Sequence, residues 1–174
     1  MTVTFIIVIV LSLIGTTFNE TAQHKNNDPI TIEDSYNLAP PSLKVFYSLE
    51  KHEKISGIPT SQIYRYLKLE TGYKGVAHLN YKSNQISTAD AAGPYQVRAI
   101  AARQVWGKEL KHMTNKAIVD SLLTDIDFCT ITAFKYMKYL KGLYGANYVK
   151  IASAYNQGPA NANNTNDYAR SINK

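Results

Sequence analysis

Ile126, Cys129, Ala133, Met137 and Leu140 recur at intervals of three and four residues, the spacing that gathers apolar side chains on one stripe of an α-helix. From Ser42 onward the apolar pattern stays helical, and no run alternates as a half-buried strand does. The expected fold class is therefore all-α. The stripe predicts the longest helix over roughly Leu122 to Lys141, closed by Gly142, with Cys129 as core filling. A first helix is expected from just after Pro40-Pro41 to near Gly57, with Leu43, Phe46 and Tyr47 inward. A second runs from Thr60 to about Glu70, ended by Gly72. A third starts at Gly93-Pro94, with Pro94 in the first helical position and Val97, Ile100, Ala101 and Val105 inward. Short helices near Tyr148 to Tyr155 and Asn166 to Ile172 complete the set. Between the second and third lies Tyr73 to Ala92, rich in Asn, Ser, Gly and Ala, a length of loop that usually serves function.

At 174 residues the chain has room for one core and no second large domain. With 45% hydrophobic and 18% charged residues it is too apolar to stay disordered. Lys and Arg outnumber Asp and Glu by 19 to 13, for a net charge of +6, but they are scattered. No basic block marks a specific nucleic-acid binder; the dispersed charge fits weak attraction to a polyanion such as cell wall, membrane surface or nucleic acid. The single cysteine excludes an internal disulfide framework and a cysteine-rich zinc site. His24, His52, His78 and His112 match no metal-ligand spacing, so no metal is expected.

Val3 to Ile14 reads VTFIIVIVLSLI, without a charge, and is followed by Gly15, Thr16 and Thr17. At about 1.5 Å per residue it is short for a hydrocarbon core of about 30 Å, which favours an export signal over a permanent span. An uncleaved anchor and a buried amino-terminal strand are the alternatives. Asn19 to Pro41 is polar and carries Pro29, Pro40 and Pro41, as a linker does. The expected organisation is a signal or anchor over 1–17, a linker over 18–41 and a folded domain over 42–174.

Within that domain Glu70 stands out. Ile63, Leu67 and Glu70 fall at i, i+4 and i+7, so the carboxylate shares the apolar stripe of its helix. It also sits in the last turn, where the helix dipole opposes an anion. Burial and dipole both raise its pKa and keep a proton available near neutrality, as a general acid requires. The plainer alternative is a structural ion pair with Lys68 or Lys74. Gly93-Pro94-Tyr95-Gln96 joins a flexible residue, a rigid one, an aromatic ring and an amide, and Ala154-Tyr155-Asn156-Gln157-Gly158 does the same at a helix end. Such sets can present rings and hydrogen-bonding forks to a neutral polar ligand, or be ordinary turns around core tyrosines. The 13 tyrosines, each an apolar face with a hydroxyl, suit sugars and cores alike.

Taken in order, Glu70-Thr71, Gly93-Pro94-Tyr95-Gln96, Ala154-Tyr155-Asn156-Gln157-Gly158 and Tyr168 resemble the motifs of the soluble lytic transglycosylases, whose catalytic domain is lysozyme-like, of the goose type. Ile58-Pro59 leading into the glutamate helix is similar as well, and the resemblance spans Leu43 to Ile172. Thr71 replaces the family's serine and keeps its hydroxyl; Pro94 and Tyr95 replace Leu-Met; Gln157 replaces alanine. The resemblance implies a peptidoglycan lyase acting without a cofactor, with Glu70 catalytic, Thr71 orienting it, Gln96 and Asn156 bonding sugars or the acid, and Tyr95, Tyr155 and Tyr168 at the substrate. It implies glycan strands as partner, a monomer, a periplasmic, envelope or virion location, and a task in wall opening for secretion, conjugation or virion assembly. A hydrolase of the same fold, with Asp90 placing water, and a non-catalytic wall-binding module remain the other readings.

Overall fold

The computed structural model describes residues 41–71, 86–87, 90–163 and 166–172, apart from the side chains of 41–43, 68 and 71. Helix α1 (Pro41–Ser56) is followed by α2 (Thr60–Thr71), a hairpin of β1 (Ala91–Ala92) and β2 (Val97–Arg98), then α3 (Ala99–Trp106), α4 (Asn115–Thr124), α5 (Ile126–Tyr144), α6 (Tyr148–Gln157) and α7 (Asp167–Ile172). Single 3-10 turns occupy Gly107–Leu110 and Pro159–Asn161. The class is all-α, as the periodicity requires. The apolar run, the linker, Gly72, Lys74 and most of the long loop lie outside the described residues, as does the inward placement expected of Leu43.

The expected stripe organises the molecule. Cys129, Ala133, Met137 and Leu140 are fully buried on α5, while Ile126 is half-buried at its start. α5 packs against α1, α3, α4 and α6, so most elements meet on this one helix. The single helix expected over 122–141 is, however, two. Asp125 is extended, with φ −109° and ψ 102°, ends α4 and accepts the Phe128 N–H at 2.9 Å as the N-cap of α5. A carboxylate at that position satisfies one of the N–H groups that a helix start leaves unpaired, typically worth about 1 kcal/mol.

The third expected helix is also corrected. Gly93 to Gln96 form a tight turn, closed by Gln96 N–H to the Gly93 carbonyl at 3.0 Å, between the paired strands, where Ala91 faces Arg98 and Ala92 faces Val97. Pro94 therefore belongs to the turn, and α3 starts only at Ala99. Val97 and Ala101 are buried as expected, Val105 is partly buried, and Ile100, expected inward, is 70% exposed. On α1 the fully buried residues are Val45, Ser48 and Leu49, with Phe46 and Tyr47 only half-buried at the edge.

Polar ties fix the outer helices. Asp127 on α5 accepts from Ser48 Oγ at 2.5 Å and Lys51 Nζ at 2.8 Å, and His52 Nε2 stands 3.4 Å away, so α1 is clipped to the central helix. Arg65 on α2 donates to the Ile172 carbonyl at 2.8 Å and ties α2 to α7. Through that tie the helix carrying Glu70 meets the helix carrying Tyr168.

Candidate active site

The burial of α2 explains the environment of Glu70. Ile63, Tyr66 and Leu67 are at most 2% exposed, and Glu70 follows one turn after Tyr66 on the same face. From α7, Tyr168 donates its hydroxyl to Glu70 Oε1 at 2.5 Å. The Tyr66 ring meets Tyr155 edge-on at a centroid distance of 5.0 Å and Tyr168 at 6.4 Å. Three tyrosines on three helices thus wall the carboxyl group.

Such a wall supplies little solvation to an anion. Burial raises the pKa of Glu70 to about 7 even though the Tyr168 hydrogen bond lowers it. The effect is reciprocal: the hydroxyls of Tyr66, Tyr155 and Tyr168 are raised first by burial and then by the carboxylate beside them. All three remain neutral donors near pH 7. The group can therefore hold a proton at neutrality and also, once ionised, keep one charge-assisted hydrogen bond.

The Gly93–Gln96 turn is linked to this site through Tyr155. Tyr155 donates its hydroxyl to the Tyr95 carbonyl at 2.8 Å, and Gln96 Nε2 folds back on the Gly93 carbonyl at 2.9 Å. Gln96 sits at φ +47°, in the left-handed region that costs a non-glycine residue of order 1 kcal/mol. Gly93 sits at φ +73°, and a Cβ there would lie 2.6 Å from the Leu122 carbonyl oxygen and 2.7 Å from Cys129 Sγ. Only glycine fits.

No protein family, curated protein or solved structure matches the chain.

The structure brings Glu70, Tyr155 and Tyr168 together. It does not bring Tyr95 with them as a cleft residue: that ring is fully buried, edge-on to Phe134 at 5.6 Å, with its hydroxyl beside Thr130. The expectation of substrate contact by Tyr95 is corrected on that ground, since a ring enclosed by the core cannot stack on a ligand. Its contribution to the site is the backbone carbonyl that Tyr155 holds. Gln96 is half-buried at the turn, and Asn156 stands exposed on the last turn of α6. The Thr71 side chain lies outside the described residues. Asp90 is exposed at φ +57°, and its N–H donates to the Ser87 carbonyl at 3.1 Å, the position of a turn residue. Among the described residues no three His, Cys, Asp or Glu side chains group as metal ligands, and no helix is long and apolar enough to cross a membrane.

Tyr66 is the site residue that the motifs did not single out. Its signal was present in the spacing, four residues before Glu70 on the same helical face. A phenol there supplies both the apolar wall and a neutral hydroxyl close to the acid.

Proposed function

We propose that this protein is a peptidoglycan lytic transglycosylase with a lysozyme-like, goose-type catalytic domain, cleaving the β-1,4 bond between N-acetylmuramic acid and N-acetylglucosamine. The observation that carries the reading is Glu70: a glutamate among three tyrosines with its pKa raised to about 7, standing in motif order with Gln96 and Tyr155. Protonated Glu70 donates to the glycosidic oxygen, the leaving sugar departs with that proton, and positive charge develops at C1, where the N-acetyl group of the same sugar shares it. The carboxylate then takes the proton of the C6 hydroxyl as that oxygen bonds to C1, closing a 1,6-anhydro ring. One carboxyl group is acid and then base, and no water is consumed.

A fixed second carboxylate would be needed for ordinary hydrolysis. The exposed turn position of Asp90 favours the single-carboxyl route. The N-terminal apolar run supports export to the envelope or the virion, and the dispersed positive charge suits an anionic wall. Local wall opening by a monomer, for secretion, conjugation or virion assembly, is the task proposed. Mass spectrometry of purified sacculi digested with the protein tests the chemistry. Anhydro-muramyl ends are expected; reducing ends would make it a hydrolase, and binding without released fragments a wall-binding module.

A further inference from the structure

We propose that Tyr155 is a positioning residue: its hydroxyl pins the Tyr95 carbonyl and so keeps Gln96 in its left-handed conformation, while its ring, packed on Tyr66, registers that turn against the helix that carries Glu70. Tyr155 has contacts on both sides of the site. Its hydroxyl reaches the backbone of the turn at 2.8 Å, and its ring lies 5.0 Å from Tyr66 and 5.7 Å from Tyr136. Gln96 at φ +47° is a conformation that glutamine does not hold unaided. Gly93 is closely packed: a Cβ there would lie 2.6 Å from the Leu122 carbonyl oxygen and 2.7 Å from Cys129 Sγ. The turn is therefore held at Gly93 by close packing and at Tyr95 by its buried ring, and the Tyr155 hydroxyl fixes the Tyr95 carbonyl that leads into Gln96. Loss of that hydrogen bond lets Gln96 relax toward negative φ and moves its amide from the place it holds on the Gly93 carbonyl. Tyr168 has the complementary duty, since its hydroxyl touches the carboxylate itself and leaves the turn alone.

Amide hydrogen exchange separates these roles without needing any activity. In Tyr155→Phe, which removes one oxygen and keeps the ring contacts, the Gln96 N–H that closes the turn should exchange about tenfold faster, while slow amides of α5 keep their rates. Tyr168→Phe should leave the Gln96 rate unchanged. Because glycine adopts positive φ freely, Gln96→Gly alone should not lower the melting temperature, and Tyr155→Phe/Gln96→Gly should bring exchange of that amide back near the parent rate. An unchanged Gln96 rate in Tyr155→Phe, equal acceleration throughout α5, a double variant as fast as Tyr155→Phe, or a lowered melting temperature for Gln96→Gly would each overturn the proposal.

The kinetic consequence rests on the lyase reading. Tyr155→Phe should raise KM or lower kcat on solubilised glycan strands without moving the pH of the Glu70 limb, whereas Tyr168→Phe should move that limb. A parent protein inactive on every glycan removes the lyase reading and leaves the exchange result standing. A moved limb in Tyr155→Phe would contradict the positioning role.

Discussion

The Tyr168 hydroxyl lies 2.5 Å from Glu70 Oε1, joining residues 98 positions apart in sequence. It is a neutral donor facing a group that burial pushes toward protonation, so it trims the rise in the Glu70 pKa without abolishing it. The bond also draws the short α7 onto α2, a role shared with Arg65 and the Ile172 carbonyl. One contact thus contributes both to the proton affinity of the acid and to the seat of the last helix.

Tyr168→Phe should accordingly raise the Glu70 pKa above about 7, because the hydrogen bond removed is the one that lowers it. The pH profile of activity should shift to higher pH on the limb that reports this group. Stability should fall most above pH 7, where the lost bond is charge-assisted, by about 1.5–3 kcal/mol. Chemical denaturation at pH 5 and pH 8 measures the difference, and equal losses at the two values would contradict the assignment.

Glu70→Gln keeps the shape and removes the ionisation. The folded pKa is raised from about 4.3 in the unfolded chain to about 7. The favourable contribution of this carboxyl is therefore fully present below the unfolded pKa and is lost as pH rises through the folded one. The variant should lose nearly all lytic activity and, at pH 8, equal or exceed the parent in stability, by an amount on the order of 4 kcal/mol at most. The advantage should vanish by pH 4. Urea unfolding across that range checks it, and a variant weaker than the parent chiefly at neutral pH would mark Glu70 as a structural ion-pair partner.

Gly93→Ala tests the packing beneath the turn. The added methyl meets backbone at 2.6 Å and the buried sulfur of Cys129 at 2.7 Å, and the positive φ adds strain. A loss of roughly 2–4 kcal/mol is expected. The thiol itself should resist alkylation in the native protein, since burial raises its pKa to about 12. Rapid labelling of Cys129 under native conditions would show that this region is looser than described.

Much of this architecture was legible in the sequence. The stripe from Cys129 to Leu140 gave both a helix and its buried face, because a three-four spacing has no other structural outcome. The hairpin was not legible. Strands of two residues show no alternation, and Pro94 has the same φ at a first helical position as in a tight turn. With a helix expected from Pro94, Ile100 falls on the inward stripe, whereas the helix that begins at Ala99 leaves it 70% exposed. Asp125 was absorbed into a longer helix because an N-cap between two helices leaves no gap in the apolar pattern. In the site, spacing put Glu70 on a buried face, but which tyrosines reach it depends on how α6 and α7 return to α2. Tyr95 therefore looked like a cleft ring and proved to be core.

The clip between α1 and α5 gives a separate pH signature. Burial alone would raise the pKa of Asp127, but the Lys51 and Ser48 hydrogen bonds and the neighbouring positive charge outweigh it and hold the carboxyl below its ordinary value. Its contribution is therefore present above the unfolded pKa of about 3.9 and is lost as pH falls through the lower folded pKa. Asp127→Ala should cost about 1–3 kcal/mol at pH 7, through loss of the charge-assisted bonds from Ser48 and Lys51. Its deficit against the parent should shrink below pH 4 in acid unfolding; a deficit independent of pH would contradict the ionic role.

The most direct test of the central claim is titration of the Glu70 carboxyl itself, by 13C NMR of protein labelled at glutamate side chains, with Glu70→Gln to assign the resonance. A midpoint near 7, moving upward in Tyr168→Phe, is the result expected of an acid held protonated by its tyrosine wall. A midpoint near the ordinary glutamate value of about 4.3 would mean that Glu70 is ionised at neutral pH and cannot be the proton donor.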